Sequence, residues 1–267
     1  MAPSPPTGLV FAAPAHKFEK WTAAGRPLRT RGALCMLGGM GVYGQFCPVA
    51  LALEVVGERW SLLIIRELLC GNYRFSEILH GVPLMSRSLL SQRLKALEDA
   101  NLIERRERAA GNGHEYFLTP AGQQLRPIVD GLGNWGQRWL RRNPKDKLDP
   151  VLLMWDLRRN LDPRCLPEHP TVVMFWFRDL AGKKSRYWLK VERPEIELCL
   201  TDPGVDVELT VETTLRTMVE VWMGDRDVRE AVGGGQIALK GAPALTRSFP
   251  SWLLLSPFAP VERAVHS

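Results

Sequence analysis

The chain has 267 residues, room for two domains of ordinary size, and its 45% hydrophobic and 24% charged residues give the balance of a globular protein. No uncharged apolar run reaches the roughly 18 residues that a bilayer span needs, and prolines interrupt the start where a secretory signal needs a compact apolar stretch. A membrane role is therefore excluded and the expected location is the cytoplasm. The net charge of +6 is uneven: residues 1–46 and 47–142 carry excesses of four and three positive charges, and residues 143–267 one negative. That distribution permits a polyanion partner without requiring one.

Residues 1–46 are rich in Pro, Gly and Ala with no helical or strand period, and are expected to form a disordered extension. From Cys47 the pattern changes. Residues 48–56 predict a short apolar helix with Pro48 in its first turn and Gly57 stopping it. A second helix spans 60–69, with Leu62, Leu63, Ile65, Leu68 and Leu69 forming a wide apolar face. A brief third, 75–79, ends at Gly81 and Pro83. A fourth covers 86–100 with Ser86 as N-cap. The period then switches to strands over 102–108 and 115–118, joined by a Gly-Asn-Gly turn at 109–114. Thr119-Pro120 opens a last, long helix running through Trp135 and Trp139 to Arg141-Arg142. Helix, helix, short helix, helix, hairpin, long helix is the order of a winged helix-turn-helix domain, placed at 47–142.

Residues 143–160 read as a polar linker and a short amphipathic helix over 151–160. Strands are predicted over 171–177, 186–191, 195–200 and 205–212. In the last of these, Val205, Val207, Leu209 and Val211 point inward. Helices over 213–223 and 225–232, a strand over 236–240 and a last helix over 244–254 complete a second domain at 161–260. The fold class is α+β.

The fourth helix carries the recognition chemistry. Leu90, Leu94 and Leu97 fall on one side, while Ser88, Ser91, Gln92 and Lys95 gather opposite them, with no carboxylate before Glu98. Hydroxyls, an amide and a cation suit a helix in the major groove of double-stranded DNA, where base edges are read by hydrogen bonds. Ser86 and Arg87 extend this set at the helix start. On the hairpin, Arg108, Asn112 and His114 are placed to meet phosphates or the minor groove, with Glu104 and Glu107 partly offsetting the charge. The DNA-contacting set is thus Ser86, Arg87, Ser88, Ser91, Gln92, Lys95, Arg108, Asn112 and His114.

Several runs resemble the HxlR family of bacterial regulators. They are Cys47-Pro48-Val49, Gly57-Glu58-Arg59-Trp60, Arg74-Phe75-Ser76-Glu77-Ile78, the stretch from Leu90 to Glu98, Leu102-Ile103-Glu104-Arg105-Arg106, the stretch from Tyr116 to Gly122, and Trp135. The resemblance covers about 47–140 and implies a dimer that binds operator DNA and pairs partly through its first and last helices. It also implies a role for Cys47, because some members carry a redox-sensing cysteine just before this proline. A thiol at a helix start is favoured as thiolate by the helix dipole. The alternative, a structural cysteine, stays open. Cys70, on an apolar helix, reads as core.

The second half resembles the sterol-carrier-protein fold. The resemblance rests on residues 205–210, the helix with Leu215, Met218 and Trp222, then Gly224-Asp225, residues 235–241, and Phe249-Pro250-Ser251-Trp252-Leu253. It implies a pocket for an apolar small-molecule effector; the alternative is that these residues fill a core. No cofactor is expected. Gly39, Gly41 and Gly44 spell a dinucleotide-binding pattern, but no strand precedes them. The five cysteines form no CxxC pair, the five histidines are scattered, and neither a metal set nor a catalytic constellation emerges. The chain reads as a dimeric, non-enzymatic transcription regulator. The alternatives are a winged-helix protein-interaction module and a lipid-handling protein whose second domain carries the main role.

Overall fold

A computed structural model describes residues 43–108, 113–140 and 148–264. The expected disordered extension lies, up to residue 42, outside the described residues, as do the hairpin tip with Asn112 and most of the expected linker. The chain divides into two compact units, 1–132 and 133–267. No helix among the described residues is long and apolar enough to cross a membrane.

In the first unit, α1 (Pro48–Val56) starts on the proline and stops at Gly57, where a Cβ would lie 2.4 Å from the Leu53 carbonyl oxygen. Trp60 adopts a left-handed backbone, φ 83°, immediately before α2 (Ser61–Leu69). α2 buries Ile64, Ile65, Leu68 and Leu69, and also the carboxylate of Glu67. That charge is answered by the Arg66 guanidinium at 2.7 Å and by the Asn72 amide, which donates to its second oxygen at 2.7 Å. Arg66 also donates to the Gly81 carbonyl at the end of α3 (Phe75–Gly81), so one buried carboxylate and its partner join α2 to α3. Gly81 has no substitute there, since a Cβ would fall 2.0 Å from the Glu67 carboxyl carbon.

Ser86 caps α4 (Arg87–Asp99), its Oγ accepting from the Leu89 amide at 3.2 Å. β1 (Ile103–Glu107) and β2 (His114–Leu118) form the antiparallel hairpin, with Arg105 opposite Tyr116. A third extended segment joins it. The Tyr116 amide donates to the Tyr73 carbonyl at 2.8 Å, Arg74 bridges to Glu115, and the Tyr73 ring stacks on Phe117 at 4.7 Å. Thr119 caps α5 (Pro120–Gln123), and α6 (Arg126–Trp139) follows separately. The single long helix expected from Thr119 onward is therefore interrupted. Pro127 cannot donate to the Gln123 carbonyl and its ring would crowd that carbonyl, so the helix stops at Gln123, turns, and restarts at Arg126.

The second unit contains α7 (Pro150–Arg159), capped by Asp149, whose Oδ1 accepts from the Val151 and Leu152 amides. Its sheet is built of β3 (Thr171–Phe177), β4 (Arg186–Glu192), β5 (Glu195–Cys199), β6 (Leu209–Thr213) and β7 (Ala238–Gly241). The spatial order is β5-β4-β3-β6-β7, with β3 and β6 parallel and the other pairs antiparallel. Val173, Phe175, Phe177, Tyr187, Leu189 and Val211 form its inner face. Against them pack α7, α8 (Leu215–Trp222), the shorter α9 (Val228–Gly233) and α10 (Pro243–Ser248), with Phe249 and Trp252 fully buried.

Two expectations here are corrected. The strand predicted over 205–212 begins only at Leu209, and Val205 and Val207 are exposed rather than inward. On one side the sheet stops there: β7 ends at Gly241, opposite Leu209, with Pro243 just beyond, while β3 runs on to Thr171 and takes one more bond, from the Glu208 amide to the Val172 carbonyl at 3.0 Å. Residues 205–207 thus lack a strand on the β7 side. The last helix closes at Ser248, and a single tight turn at Phe249–Ser251 replaces its second half, because Pro250 cannot continue the helical bonds.

The C-terminal segment packs on the end of α6 within this unit. The Phe258 ring lies where a Cβ on Gly133 would sit, and the Ala264 amide donates to the Arg138 carbonyl at 2.9 Å. Arg263 pairs with Asp225 at 2.9 Å and donates to the Leu140 carbonyl at 3.4 Å.

Candidate nucleic-acid interface

The amphipathic pattern of α4 survives folding intact. Leu90, Leu94 and Leu97 are buried in the core that α2, α3 and β1 also line, and Ser86, Arg87, Ser88, Ser91, Gln92 and Lys95 are all exposed. The remaining basic residue of the helix, Arg93, is turned away and pairs with Glu58 at 2.8 Å, tying α4 to the loop before α2. Among the described residues Gln92 and Lys95 have no side-chain partner, so their polar groups are free to meet a ligand. Ser88 shares a hydroxyl hydrogen bond with Ser86 at 3.1 Å, and the Arg87 guanidinium lies 5.9 Å from the Phe75 ring.

The hairpin is less uniformly basic than its sequence. Arg106 pairs with Glu104 and lies over the Phe117 ring at 4.7 Å, so it braces the hairpin itself. Arg108 is half-buried and faces Glu115 at 3.8 Å, a carboxylate it shares with Arg74 at 3.5 Å. Arg105 and His114 are exposed. Gly113 stands at φ 119°, backbone that favours glycine at the hairpin return. The structure thus assembles the α4 residues on one exposed side and places Arg108 and His114 on the hairpin, with Asn112 outside the described residues.

Sequence reasoning missed three features. Tyr73 and Arg74 extend the hairpin to a third segment, but two residues carry no period. α6 exposes Ile128, Leu132, Trp135 and Trp139, at helical spacing along one side, of which only Trp135 had been singled out as part of a motif. Leu84, 78% exposed, lies in the turn before α4, where no amphipathic pattern marks it.

Cys47 occupies the N-cap of α1 and is partly exposed. Its sulfur stops short of a formed capping hydrogen bond, yet the Ala50 amide and then the Val49 amide draw the thiol pKa below its ordinary value of 9.0, against a small opposing effect of burial. Among the described residues no group of three His, Cys, Asp or Glu is placed to hold a metal ion.

The HxlR-like helix-turn-helix family matches residues 55–144, which takes in α2 to α6. An HTH-type transcriptional regulator of Mycobacterium tuberculosis is 37% identical over 125 residues, 45% of this chain and 75% of that protein. The HTH-type transcriptional regulator YvaP of Bacillus subtilis is 36% identical over 98 residues, 36% of this chain and 91% of that protein. YtfH of Escherichia coli, of the same description, is 34% identical over 95 residues, 35% of this chain and 75% of that protein. The family match ends before the five-stranded sheet begins. With its helix order, its capped and amphipathic α4 and these relatives, the chain belongs to the HxlR-like helix-turn-helix family.

Proposed function

We propose that the chain is a transcription regulator that reads operator DNA with the exposed side of α4 and is not itself an enzyme. The observation that carries this reading is the division of α4. Leu90, Leu94 and Leu97 are buried and Leu89 is half-buried against the same core, and its outward side offers hydroxyls, an amide and a cation without a carboxylate until Glu98. Such a face donates and accepts at base edges and tolerates phosphates. Ser88 and Gln92 contact bases, while Lys95, Arg87 and Arg108 contact phosphates, joined at the hairpin tip by Asn112 and His114. The names of the relatives, all HTH-type transcriptional regulators, support the same role.

The DNA-binding domain spans 47–142 and acts as a homodimer. The exposed stripe of Ile128, Leu132, Trp135 and Trp139 on α6, with Val49 and Leu53 on α1, supplies the apolar surface for pairing. Two-fold symmetry then gives an inverted-repeat operator with half-sites about one helical turn, or a multiple, apart. Cys47 is the thiol through which oxidation would act. Diamide should change DNA affinity in the wild type and leave Cys47→Ser unaffected; equal responses would make the cysteine structural.

The second domain, 161–260, is a sterol-carrier-like effector domain for an apolar small molecule. Its mixed sheet covered on the inner face by α7, α8 and α10 supports that reading. Native mass spectrometry of gently purified protein should show a bound species of lipid-like mass. Selecting duplexes from a random-sequence pool with the full-length protein tests the main reading. Enriched sites that share an inverted repeat, bound more weakly as salt rises, are expected. A chain that enriches no sequence and binds without salt dependence would instead be a protein-interaction module.

A further inference from the structure

We propose that Leu84 is a specificity residue that reads the 5-methyl group of a thymine in each operator half-site. The inference rests on the DNA-binding reading above and deepens it. A single exposed leucine is ordinary on a protein surface. What distinguishes Leu84 is where it stands and how it is held.

Leu84 lies two residues before Ser86, the cap of α4, beside the exposed Ser86, Arg87 and Ser88. Recognition helices enter the major groove with their N-terminal end at the base edges. The groove presents one methyl group, that of thymine, and it is read by apolar contact rather than by hydrogen bonding. The exposed residues of α4 are all polar and Leu89 is half-buried against the core, so a fully exposed apolar reader has to come from its flank.

The turn also fixes the side chain outward. Val82 and Met85, on either side, are buried at 1% and 4% exposure, whereas Leu84 is 78% exposed. The Met85 amide donates to the Val82 carbonyl at 2.9 Å, and Pro83 between them restricts the backbone further. Because both flanks are anchored in the core, little backbone freedom is left to lose when Leu84 meets a base. Most other large apolar residues exposed in this unit lie elsewhere: Tyr43, Phe46, Val49, Leu51 and Leu53 at its start, and Ile128 and Leu132 on α6. Those segments supply the proposed pairing surface, and Leu84 is not part of them.

The test replaces thymine by deoxyuridine, one position at a time, in duplexes that the full-length protein enriches from a random-sequence pool. The change deletes the major-groove methyl and leaves the minor groove untouched, so contacts of the hairpin there are not disturbed. At one thymine of each half-site the wild type should lose about fourfold in affinity, the effect of one methyl group no longer buried. Leu84→Ala, whose melting temperature should match the wild type, should bind the thymine and uracil duplexes equally. Leu84→Ser should behave likewise and guard against a helix effect peculiar to alanine. The inference is overturned if no thymine position is sensitive, if the enriched half-site contains no thymine, or if the sensitivity persists in both variants. A failure to enrich any duplex would overturn the DNA-binding reading itself, which separates the two outcomes.

Discussion

The two units build their cores from different apolar residues. The second turns its largest side chains inward: Phe175, Phe177, Phe249 and Trp252 are essentially inaccessible, and β3 alternates buried and half-buried positions along its whole length. The first has a core built mainly of leucines and isoleucines and keeps apolar side chains outside, Ile128 and Leu132 on α6 and Tyr43, Phe46, Val49, Leu51 and Leu53 at its start. The second exposes apolar residues as well, but away from its sheet core: Trp135, Trp139 and Leu140 at its start and Leu254 and Leu255 near its end. The first unit leaves Ile128 and Leu132 of α6 and Val49 and Leu53 of α1 uncovered, part of the surface proposed for pairing. The polar residues differ too. Gln92 and Lys95 of α4 have no side-chain partner among the described residues, while acids and bases of the second unit pair with each other, as Lys190 does with Glu197 at 3.1 Å and Lys240 with Glu212 at 2.6 Å.

This contrast can be broken in several ways. The largest effects are expected in the cores. Leu94→Ala should cost the first unit about 2–5 kcal/mol, and Phe175→Ala the second about 3–5 kcal/mol. Calorimetry should show two transitions, each substitution lowering one of them; a single transition lowered by both would mean that the units do not unfold separately. Next comes the stripe on α6. Leu132→Ala combined with Trp135→Ala removes the centre of the proposed pairing surface, and sedimentation should report monomer where the wild type is dimer. An unchanged dimer would assign that stripe another partner.

A smaller effect concerns the cysteines, one from each unit. The amides at the start of α1 lower the Cys47 thiol, so its thiolate is favoured at lower pH. Burial, reinforced by Glu197 and opposed by Lys190, raises Cys199. Alkylation followed against pH should therefore have its midpoint below 9 at Cys47 and above 9 at Cys199, where the ordinary thiol value is 9.0. Coincident profiles would remove the electrostatic argument for Cys47 as the reactive thiol.

Much of the first unit was legible in the sequence because local signals and tertiary demands agree there. Pro48 and Gly57 bound α1 as expected, and Ser86 caps α4. The buried and exposed sides of that helix follow from a period of 3.6 alone. Where the reading failed, the deciding interaction is not local. Alternation at Val205 and Val207 describes a strand but cannot supply the second neighbour it would bond to, and β7 stops at Gly241, opposite Leu209. The pairing of Tyr73 and Arg74 with β2 is made by contacts from distant residues, and no local period marks the left-handed backbone at Trp60. Pro127 was a local signal for the break before α6, overridden by the apolar period on either side. The hairpin arginines show the limit of counting charge. Their number is plain in the sequence, but only the fold reveals that Arg106 and Arg108 are already engaged with Glu104, Phe117 and Glu115.

The central claim is that the outward side of α4 reads DNA sequence, and comparing Gln92→Ala with Lys95→Ala tests it most directly. Both residues are exposed and neither has a side-chain partner among the described residues, so neither substitution should disturb the fold. Equilibrium binding would be measured to the selected operator and to a random duplex across a range of salt. Gln92→Ala should weaken operator binding by about 1–3 kcal/mol and leave random-duplex binding nearly unchanged, as loss of a base contact does. Lys95→Ala should weaken both duplexes together and reduce the salt slope by about one unit, as loss of a phosphate contact does. Operator and random binding falling in the same proportion in both variants, or unchanged in both, would contradict the account.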